Sequence, residues 1–303
     1  MNKQQHLCAA PIDVELLEEC LRSTTALNVF ILNEAVRTLE RELAALLPGF
    51  RAVGVNNLFS AAVLLAFGAD DITAHLGAPR PVHRALLAAH RSSARDYRSD
   101  APRPTGRWSV RDSDSAYETP VGDRTAVVVR EPSSLPDCRS ADAVVLDLSG
   151  SHELPTAGEM AVMFTRDVEL EAYWRSLRNH GQPVGRRFHH EHVGVNARVD
   201  EVNARYVSAL LPGLAERAKR LAEARTRIVD AWSAFGAYEV PDRPGGGGVV
   251  LTERTDETRV LLAENGVPSR STGEGILLPV HSGQSEQLIS RIVELSRAAG
   301  GRE

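Results

Sequence analysis

The pattern of apolar and polar positions along the chain predicts helices that alternate with short buried strands. Amphipathic helices are predicted at 13–22 and 36–47, where apolar residues recur with helical spacing on one face. A short apolar run at 52–55 predicts a buried strand, and the segment 60–69 predicts a helix that packs over it. A strand, a tight loop and a helix in succession indicate an α/β fold built in layers.

Three further runs of β-branched residues predict buried and largely parallel strands at 125–129, 143–148 and 161–165. Between residues 70 and 120, prolines and a high density of charge interrupt the pattern. We expect mainly loops in that part of the chain, with one helix near 82–91.

The carboxyl-terminal part of the chain predicts a second, smaller domain. Apolar residues at near-helical spacing over 199–233 predict a helical stretch that Pro212 kinks or splits. The glycine-rich segment 241–248 predicts a flexible connection rather than a phosphate-binding loop, because no helix start follows the glycines. We therefore expect a large domain over 1–240 and a small α+β domain over 241–303.

Composition and charge argue against several classes of function. The chain of 303 residues carries a formal net charge of -5, which does not suit a general nucleic-acid binder. No apolar run reaches the roughly 18 residues of a membrane span, and no apolar signal core precedes Asp13, so a cytoplasmic protein is expected. The three cysteines, Cys8, Cys20 and Cys138, lack the spacing of a disulfide framework or a zinc site.

The most specific motif is a series of ordered landmarks between residues 175 and 214. It reads RSLRNHGQPVGRRFHHEHVGVNARVDEVNARYVSALLPGL and resembles a segment of the DegT/DnrJ/StrS family of PLP-dependent sugar aminotransferases. Weaker similarity to the same family extends over 36–56, 156–165 and 266–298. The landmarks that match are Arg178, Asn179, His180, Gly181, Gln182, Gly194, Asn196, Arg198, Asp200, Glu201, Leu211 and Pro212.

The resemblance implies a type I aminotransferase fold of the α/β class. Such a fold has a large domain with a mixed, mainly parallel sheet and a small α+β carboxyl-terminal domain. The resemblance also implies a homodimer with sites at the interface and a small-molecule substrate, in amino-sugar or other secondary-metabolite biosynthesis. A heteromer with a paralogue is the alternative assembly, and no nucleic-acid or membrane partner is expected.

The residue that binds PLP covalently in this family is a lysine, and the resemblance places its position at Glu153. Only two of the 35 basic residues of the chain are lysines. Lys3 lies in a terminus that we expect to fray, and Lys219 lies on a helix face that we expect to be solvated. Ordinary transamination is therefore not expected, because neither lysine stands where the family's chemistry requires an amine.

The phosphate-binding turn that the resemblance implies is also altered. The small residues of the family are replaced here by Asn56, Asn57, Leu58 and Phe59. Phe59 is expected either to fill the phosphate space or to pack into the core. Both interpretations predict weaker binding of PLP.

Two alignments of residues 145–153 with the family remain open. In the first, Asp147 corresponds to the aspartate that pairs with the pyridine nitrogen of PLP, and His152 to a histidine five positions later. In the second, Ser149 corresponds to a phosphate-binding serine and Glu153 to the lysine. The lysine is absent in either alignment.

Ten side chains are candidates for the functional site. Histidine suits proton transfer near neutral pH, and guanidinium and amide groups suit the recognition of an anionic substrate. A metal site among the histidines at 189–192 is not favoured, because no second ligand cluster supports it. The catalytic candidates are Asp147, His152, Glu153, His180 and His189, and the substrate-binding candidates are Asn57, Phe59, Ser149, Asn196 and Arg198.

Three functions follow from these residues. The favoured one is a PLP-independent enzyme, with no bound cofactor, that acts on a small-molecule intermediate by acid–base chemistry. The first alternative is a non-catalytic pseudo-aminotransferase that pairs with an active enzyme and uses Phe59 to plug its pocket. The second is a PMP-dependent enzyme similar to sugar 3-dehydratases, with non-covalent PLP or PMP and with His152 near the lysine position.

Overall fold

The computed structural model of the chain divides into two compact units. The first unit is formed by Ile12–Ser149 and Thr156–Pro212, and the second by Gly150–Pro155 and Gly213–Glu303. Within the described residues, no helix is both long and apolar enough to cross a membrane. The described residues are 12–75, 106–112, 123–149, 151–240, 248–272, 275–281 and 284–300.

The first unit combines helices with a sheet, and the helices expected at 13–22, 36–47 and 60–69 are confirmed as α1, α2 and α3. Asp13 caps α1, since its carboxylate accepts a hydrogen bond from the Leu16 N–H at 3.0 Å. The helices are α1 (Val14–Leu27), α2 (Glu34–Leu46), α3 (Leu58–Phe67), α4 (Val168–Leu177) and α5 (Glu201–Leu210). The strands are β1 (Arg51–Val55), β2 (Asp71–His75), β3 (Arg107–Asp112), β4 (Arg124–Val129), β5 (Ala143–Asp147) and β6 (Ala161–Thr165).

These strands form one mixed sheet in the order β1-β6-β5-β4-β3-β2. The strands β2 to β5 are parallel neighbours, and β6 runs antiparallel between β5 and β1. The expected strands at 125–129, 143–148 and 161–165 are therefore confirmed, in a sheet that is mainly parallel. The carboxyl ends of β1 to β5 lie at one edge of the sheet, together with the amino end of β6. We call this edge the carboxyl edge.

The core of the first unit lies between this sheet and its helices. Every residue of β5 and β6 is buried, which explains why both sequences are uninterrupted apolar runs rather than alternating ones. Val145 and Met163 from these strands share one cluster with the fully buried Trp174 of α4. The core thus fixes the position of the strand ends that carry the polar candidates.

Two strands of the sheet were not predicted from the sequence. The expectation of loops between residues 70 and 120 is wrong for β2 and β3, which form the far edge of the sheet. In β3, charged residues at both ends obscure the apolar signal, although Trp108 and Val110 are buried. The helix expected near 82–91 lies outside the described residues.

The second unit is an α+β arrangement around an antiparallel sheet in the order β7-β8-β10-β9. Its helix α6 contributes Leu221 and Ile228 to the core, together with Trp232 just beyond its end. The main part of the unit therefore begins at Gly213, whereas the small domain was expected to begin at residue 241. Residues 241–247 lie outside the described residues. The helices are α6 (Leu214–Ala231), α7 (Thr255–Glu264) and α8 (Glu286–Gly300), and the strands are β7 (Tyr238–Val240), β8 (Gly248–Leu251), β9 (Arg270–Ser271) and β10 (Ile276–Pro279).

Candidate functional site

Polar candidates of the first unit gather at the carboxyl edge of the six-stranded sheet. Val55 at the end of β1 and Asp147 at the end of β5 both pair with Ala161, the first residue of β6. Two strand spacings therefore separate Val55 from Asp147, a distance of roughly 10 Å. Asn57 follows β1 and precedes α3. The start of α3 and the buried carboxyl group of Asp147 therefore lie close together along this edge.

Asn57 shapes the amino terminus of α3. Its side-chain oxygen accepts a hydrogen bond from the Ser60 N–H at 2.8 Å. Its side-chain nitrogen donates to a carboxylate oxygen of Glu159 at 3.0 Å. The first N–H groups of a helix have no intrahelical acceptor, so the start of α3 is suited to bind an anion.

Phe59 lies on the outer face of α3, and 57% of the residue is exposed. The opposite face of the helix buries Ala61, Leu64 and Leu65 instead. The expected core contact is therefore wrong for this residue, whereas the expected plug in the phosphate space is not tested and stays a prediction. Its assignment to substrate binding stays a prediction.

Asp147 is the buried carboxyl group of the edge, and only 8% of the residue is exposed. Its Oδ1 accepts a hydrogen bond from the Ser149 N–H at 3.1 Å, and its Oδ2 lies 4.0 Å from Arg130 Nε. The Ser149 hydroxyl bonds the backbone of Met160, which leads into β6. Burial raises the pKa of Asp147 and the charge of Glu159 adds to the rise, although Ser149 and Arg130 oppose it. A cationic group bound beside this carboxyl would therefore favour its ionised form.

His152 and Glu153, the other members of the predicted acid–base group, belong to the second unit. His152 is fully buried, and its Nδ1 lies 3.3 Å from a guanidinium nitrogen of Arg225 on α6. Glu153 is also buried, and its backbone oxygen accepts a hydrogen bond from Arg217 Nε at 2.8 Å. The predicted group is thus divided between the two units, and its catalytic roles stay predictions.

His180 and His189 lie in the segment that follows α4. His180 has a left-handed backbone with φ 60°, and its backbone oxygen lies 2.7 Å from His190 Nδ1. The side chain of His189 is 60% exposed, and its Nε2 lies 3.3 Å from a carboxylate oxygen of Glu191. Both histidines are therefore placed on a polar segment of the first unit, and their catalytic roles stay predictions.

Arg198 and Asn196 form an oriented pair in the first unit. Arg198 Nε donates to the Asn196 side-chain oxygen at 2.9 Å, and one terminal nitrogen of Arg198 donates to Asn179 at 3.2 Å. The backbones of Asn179 and Asn196 are themselves joined by an isolated β-bridge. These contacts hold the guanidinium plane in one orientation, which favours bidentate recognition of an anion.

An open cleft of about 1200 Å³ in the first unit is lined by seven arginines. Arg41, Arg175 and Arg178 pair with glutamates, and the other four are Arg37, Arg51, Arg187 and Arg198. Within the part of the chain that the structure describes, none of the four has a carboxylate at ion-pair distance. The chain as a whole is acidic, so this clustering is not the background composition. The cleft therefore has the electrostatic character of an anion-binding surface.

Glu40 on α2, which was not predicted as a functional residue, is the buried carboxylate that organises this region. Glu40 accepts hydrogen bonds from Arg178 at 2.5 Å, from Arg175 at 2.7 Å and from the Gly54 N–H at 2.9 Å. Arg178 also donates to the Gly54 backbone oxygen at 2.7 Å. The helix α2, the strand β1 and the end of α4 are therefore joined at one carboxylate.

The electrostatics of Glu40 follow from these contacts. Burial alone would raise the pKa of Glu40, but Arg178, Arg175 and the Gly54 N–H together hold it below its ordinary value of 4.5. A signal for this residue was present in the sequence. Glu40 directly follows Leu39 on the buried face of α2, where a carboxylate requires a partner.

Two glycines of the 175–214 motif are required by close packing of the backbone. Gly181 has φ 75°, and a Cβ there would lie 1.7 Å from the His192 backbone oxygen. A Cβ at Gly194 would lie 2.1 Å from the Gly181 nitrogen. These landmarks therefore maintain the turn that places Asn179 against Asn196.

Comparison with known proteins confirms the resemblance found in the motif. Residues 138–241 match the DegT/DnrJ/EryC1/StrS aminotransferase family. A curated relative, UDP-N-acetyl-3-dehydro-alpha-D-glucosamine 3-aminotransferase of Acidithiobacillus ferrooxidans, is 42% identical over 65 residues. That stretch covers 22% of this chain and 17% of the relative.

Solved structures at 12–14% identity share the fold over nearly the whole chain. A sugar aminotransferase of Streptococcus pneumoniae in its PMP form gives a TM-score of 0.73 at 13% identity, with 96% of each chain covered. A family member from Brucella abortus gives 0.71 at 14% identity, covering 95% of this chain and 96% of that one. NtdA of Bacillus subtilis with bound PMP gives 0.68 at 12% identity, covering 94% and 81%. The expected type I aminotransferase fold is therefore confirmed.

The expectation that the chain uses no cofactor is contradicted by these comparisons. The matching family is a family of aminotransferases, and two of the solved structures hold PMP. These findings point to PLP or PMP rather than to an empty scaffold. The absence of a lysine at position 153 was therefore not sufficient to predict the absence of a cofactor.

Proposed function

We propose that this protein binds PMP or PLP without a covalent lysine bond, at the carboxyl edge of the six-stranded sheet, and acts on a sugar or a related small molecule. The observation that carries the proposal is that the amino terminus of α3 and the buried Asp147 lie at the same edge of the sheet. When bound, PMP supplies a primary amine and an electron-accepting pyridine ring to a carbonyl substrate. The proposal develops the PMP-dependent alternative of the sequence analysis.

The phosphate end of the cofactor fits the start of α3. The N–H groups of Leu58 and Phe59 stand in the first turn of a ten-residue helix, where the helix dipole favours an anion. Asn57 keeps this end ordered through its bonds to Ser60 and Glu159. The non-catalytic alternative, in which Phe59 plugs the pocket, stays a prediction.

The ring end of the cofactor fits Asp147. The carboxyl group is held in place by the Ser149 N–H, and the roughly 10 Å between β1 and β5 matches a pyridine ring that carries a phosphate arm. A protonated ring nitrogen beside Asp147 would stabilise the carboxylate whose pKa burial raises. Asp147 then orients the ring and maintains its electron-accepting character.

Among the described residues, the one lysine, Lys219, does not belong to the unit that forms this edge. Lys219 belongs to α6 in the second unit, where its side chain is 69% exposed and lies 3.9 Å from Glu223. Lys3 lies outside the described residues, and the expected lysine position is Glu153. The cofactor is therefore held by hydrogen bonds and charge alone, and it exchanges with free PMP.

The substrate-binding group of this proposal is Arg198 with Asn196. Their mutual hydrogen bond presents an oriented guanidinium to the arginine-lined cleft. A phosphate or carboxylate on the substrate provides the matching acceptor. The arrangement favours an anionic derivative of a sugar over a neutral one.

Replacing Asp147 by asparagine tests the ring contact. We expect Asp147→Asn to bind PMP about tenfold to a hundredfold more weakly, because a charge-assisted hydrogen bond of roughly 1.5–3 kcal/mol is lost. The measurement is a fluorescence or absorbance titration of the purified protein with PMP. The control is Asp137→Asn, at an exposed aspartate of the same unit, which is expected to bind as the wild type does. Equal affinity of both variants would contradict the assignment of Asp147.

The homodimer implied by the family resemblance has a candidate surface on the first unit. Apolar side chains on α1 and the α1–α2 connection are exposed to 41–56%, and a second copy of the chain would cover them. A heteromer with a paralogue stays an alternative prediction. The side chains concerned are Leu21, Leu27, Val29, Phe30 and Ile31.

Introducing a charged side chain into this surface tests whether it forms the predicted dimer interface. We expect Phe30→Asp to weaken self-association about tenfold or more, since an aromatic contact is replaced by a desolvated carboxylate. Light scattering across a concentration series measures the change. Val168→Asp, at an exposed valine on α4, is the matched control. A monomeric wild type, or a Phe30→Asp variant that dimerises as strongly as the control, would contradict the assignment.

A further inference from the structure

The short segment 151–155 in the second unit is held by two arginines of α6. Arg225 places a terminal nitrogen 3.3 Å from His152 Nδ1, and Arg217 donates from Nε to the Glu153 backbone oxygen at 2.8 Å. The two arginines are eight positions apart, which separates them by about 12 Å along the helix. The helix therefore contacts two successive residues of the segment through separate guanidinium groups.

The contact between Arg225 and His152 restricts the protonation of the histidine. A guanidinium carries five N–H donors and no acceptor, so a hydrogen bond from Arg225 requires a lone pair on Nδ1. An imidazole whose Nδ1 carries a lone pair holds its proton on Nε2. We propose that Arg225 fixes His152 as the Nε2–H tautomer and is the positioning residue of the segment 151–155.

The environment of the pair supports this assignment. His152 is fully buried and Arg225 is 5% exposed, so solvent does not compete for the hydrogen bond. A second guanidinium nitrogen of Arg225 lies 3.2 Å from Glu239 on β7, which orients the arginine from its other side. The arginine is therefore anchored between a carboxylate and the imidazole.

Within the described part of the second unit, His281 is a further titratable group that interacts with His152. Burial, and then the proximity of His152, lowers the pKa of His281 to about 4. His281 is therefore neutral at neutral pH and adds no charge beside Arg225. Arg225 and Arg217 are the permanent cations that contact the segment 151–155.

This inference changes the role expected of His152. While Arg225 donates to Nδ1, that nitrogen cannot accept a proton, so His152 does not act there as a general base. It instead serves as a fixed hydrogen-bonding group within the segment 151–155 of the second unit. The assignment goes beyond the proposed function and does not depend on a bound cofactor.

The test is a nitrogen NMR spectrum of the full chain with labelled histidine, recorded at neutral pH without cofactor. The long-range correlation pattern reports which ring nitrogen carries the proton, and the His152 signals are identified by their absence in His152→Gln. We expect an unprotonated Nδ1 and a protonated Nε2. A protonated Nδ1, alone or together with Nε2, would overturn the proposal.

Two variants of Arg225 distinguish its hydrogen bond to His152 from the packing of its apolar stem. Arg225→Lys keeps a donor and is expected to retain the tautomer, whereas Arg225→Met keeps the apolar stem and is expected to lose it. The signals of His189, which is 60% exposed, serve as the internal control and should not change. Retention of the Nε2–H tautomer in Arg225→Met would overturn the role of Arg225. If that variant does not fold, the wild-type and Arg225→Lys spectra still decide the tautomer.

Discussion

Replacing Glu40 by alanine is expected to lower the free energy of unfolding by about 3–5 kcal/mol, because the change leaves a buried cation without its carboxylate. Arg178 is 5% exposed and has its ion pair with Glu40, so no solvent replaces the lost partner. The Gly54 N–H also loses its acceptor. Denaturant unfolding followed by circular dichroism measures the change.

The matched control for this variant is Glu42→Ala on the same helix. Glu42 is exposed, so its removal is expected to leave stability close to that of the wild type. The contrast between the two variants isolates the buried ion-pair network from the helix propensity of alanine. A Glu40→Ala variant that loses less than about 1 kcal/mol would contradict the central place of this carboxylate.

The lowered pKa of Glu40 predicts that the free energy of unfolding depends on pH. The pKa of Glu40 in the folded protein lies below its ordinary value of 4.5, so the unfolded chain binds the proton more readily. The stability that Glu40 contributes is therefore complete above 4.5 and is lost as the pH falls through the lower, folded value. We expect the difference between wild type and Glu40→Ala to be constant near neutral pH and to shrink in acid.

Replacing Glu201 by alanine is the second change with a large expected effect, a loss of about 2–4 kcal/mol. Glu201 on α5 is fully buried, and its carboxylate accepts the backbone N–H groups of Asn33, Ala35 and Val36 at 2.7, 2.9 and 3.4 Å. Asn33, the residue that precedes α2, makes no side-chain cap. The start of α2 therefore depends on a carboxylate supplied by another helix.

The control for Glu201→Ala is Glu34→Ala, at an acidic residue in the first turn of α2. Glu34 is exposed and interacts mainly with Arg41, so only a small change is expected. Hydrogen exchange of the amides at the start of α2 gives a local measurement. Unchanged protection of those amides in Glu201→Ala would contradict the capping role.

Local patterns predicted the elements whose signals lie within a short window of sequence. Helices α1 to α3 and strands β4 to β6 follow from apolar periodicity and from continuous apolar runs, because burial on one or both faces is recorded in neighbouring residues. Strand β3 was missed because charges at its ends outweigh two buried apolar residues. The capping of α2 by Glu201 was not accessible either, since it joins residues that are 166 positions apart in the chain.

In the candidate site, too, some features could be predicted from the sequence and others could not. The family resemblance singled out Asn57 and Asp147, and the structure places Asn57 before α3 and Asp147 at the end of β5. The sequence did not indicate that His152 and Asp147 belong to different units, because no change of composition between them marks a boundary. It also treated one missing lysine as the loss of the cofactor, whereas a helix terminus and a buried carboxyl group contribute to cofactor binding through other atoms.

The central claim, a cofactor held without a lysine bond, is tested most directly by adding PLP and then borohydride and measuring the intact mass of the protein. Binding is followed in parallel by the absorbance of the cofactor. The account predicts saturable binding that Asp147→Asn weakens, with no increase in mass after reduction. A mass increase that maps to Lys219 or Lys3 at saturating PLP, or the absence of saturable binding, would contradict it.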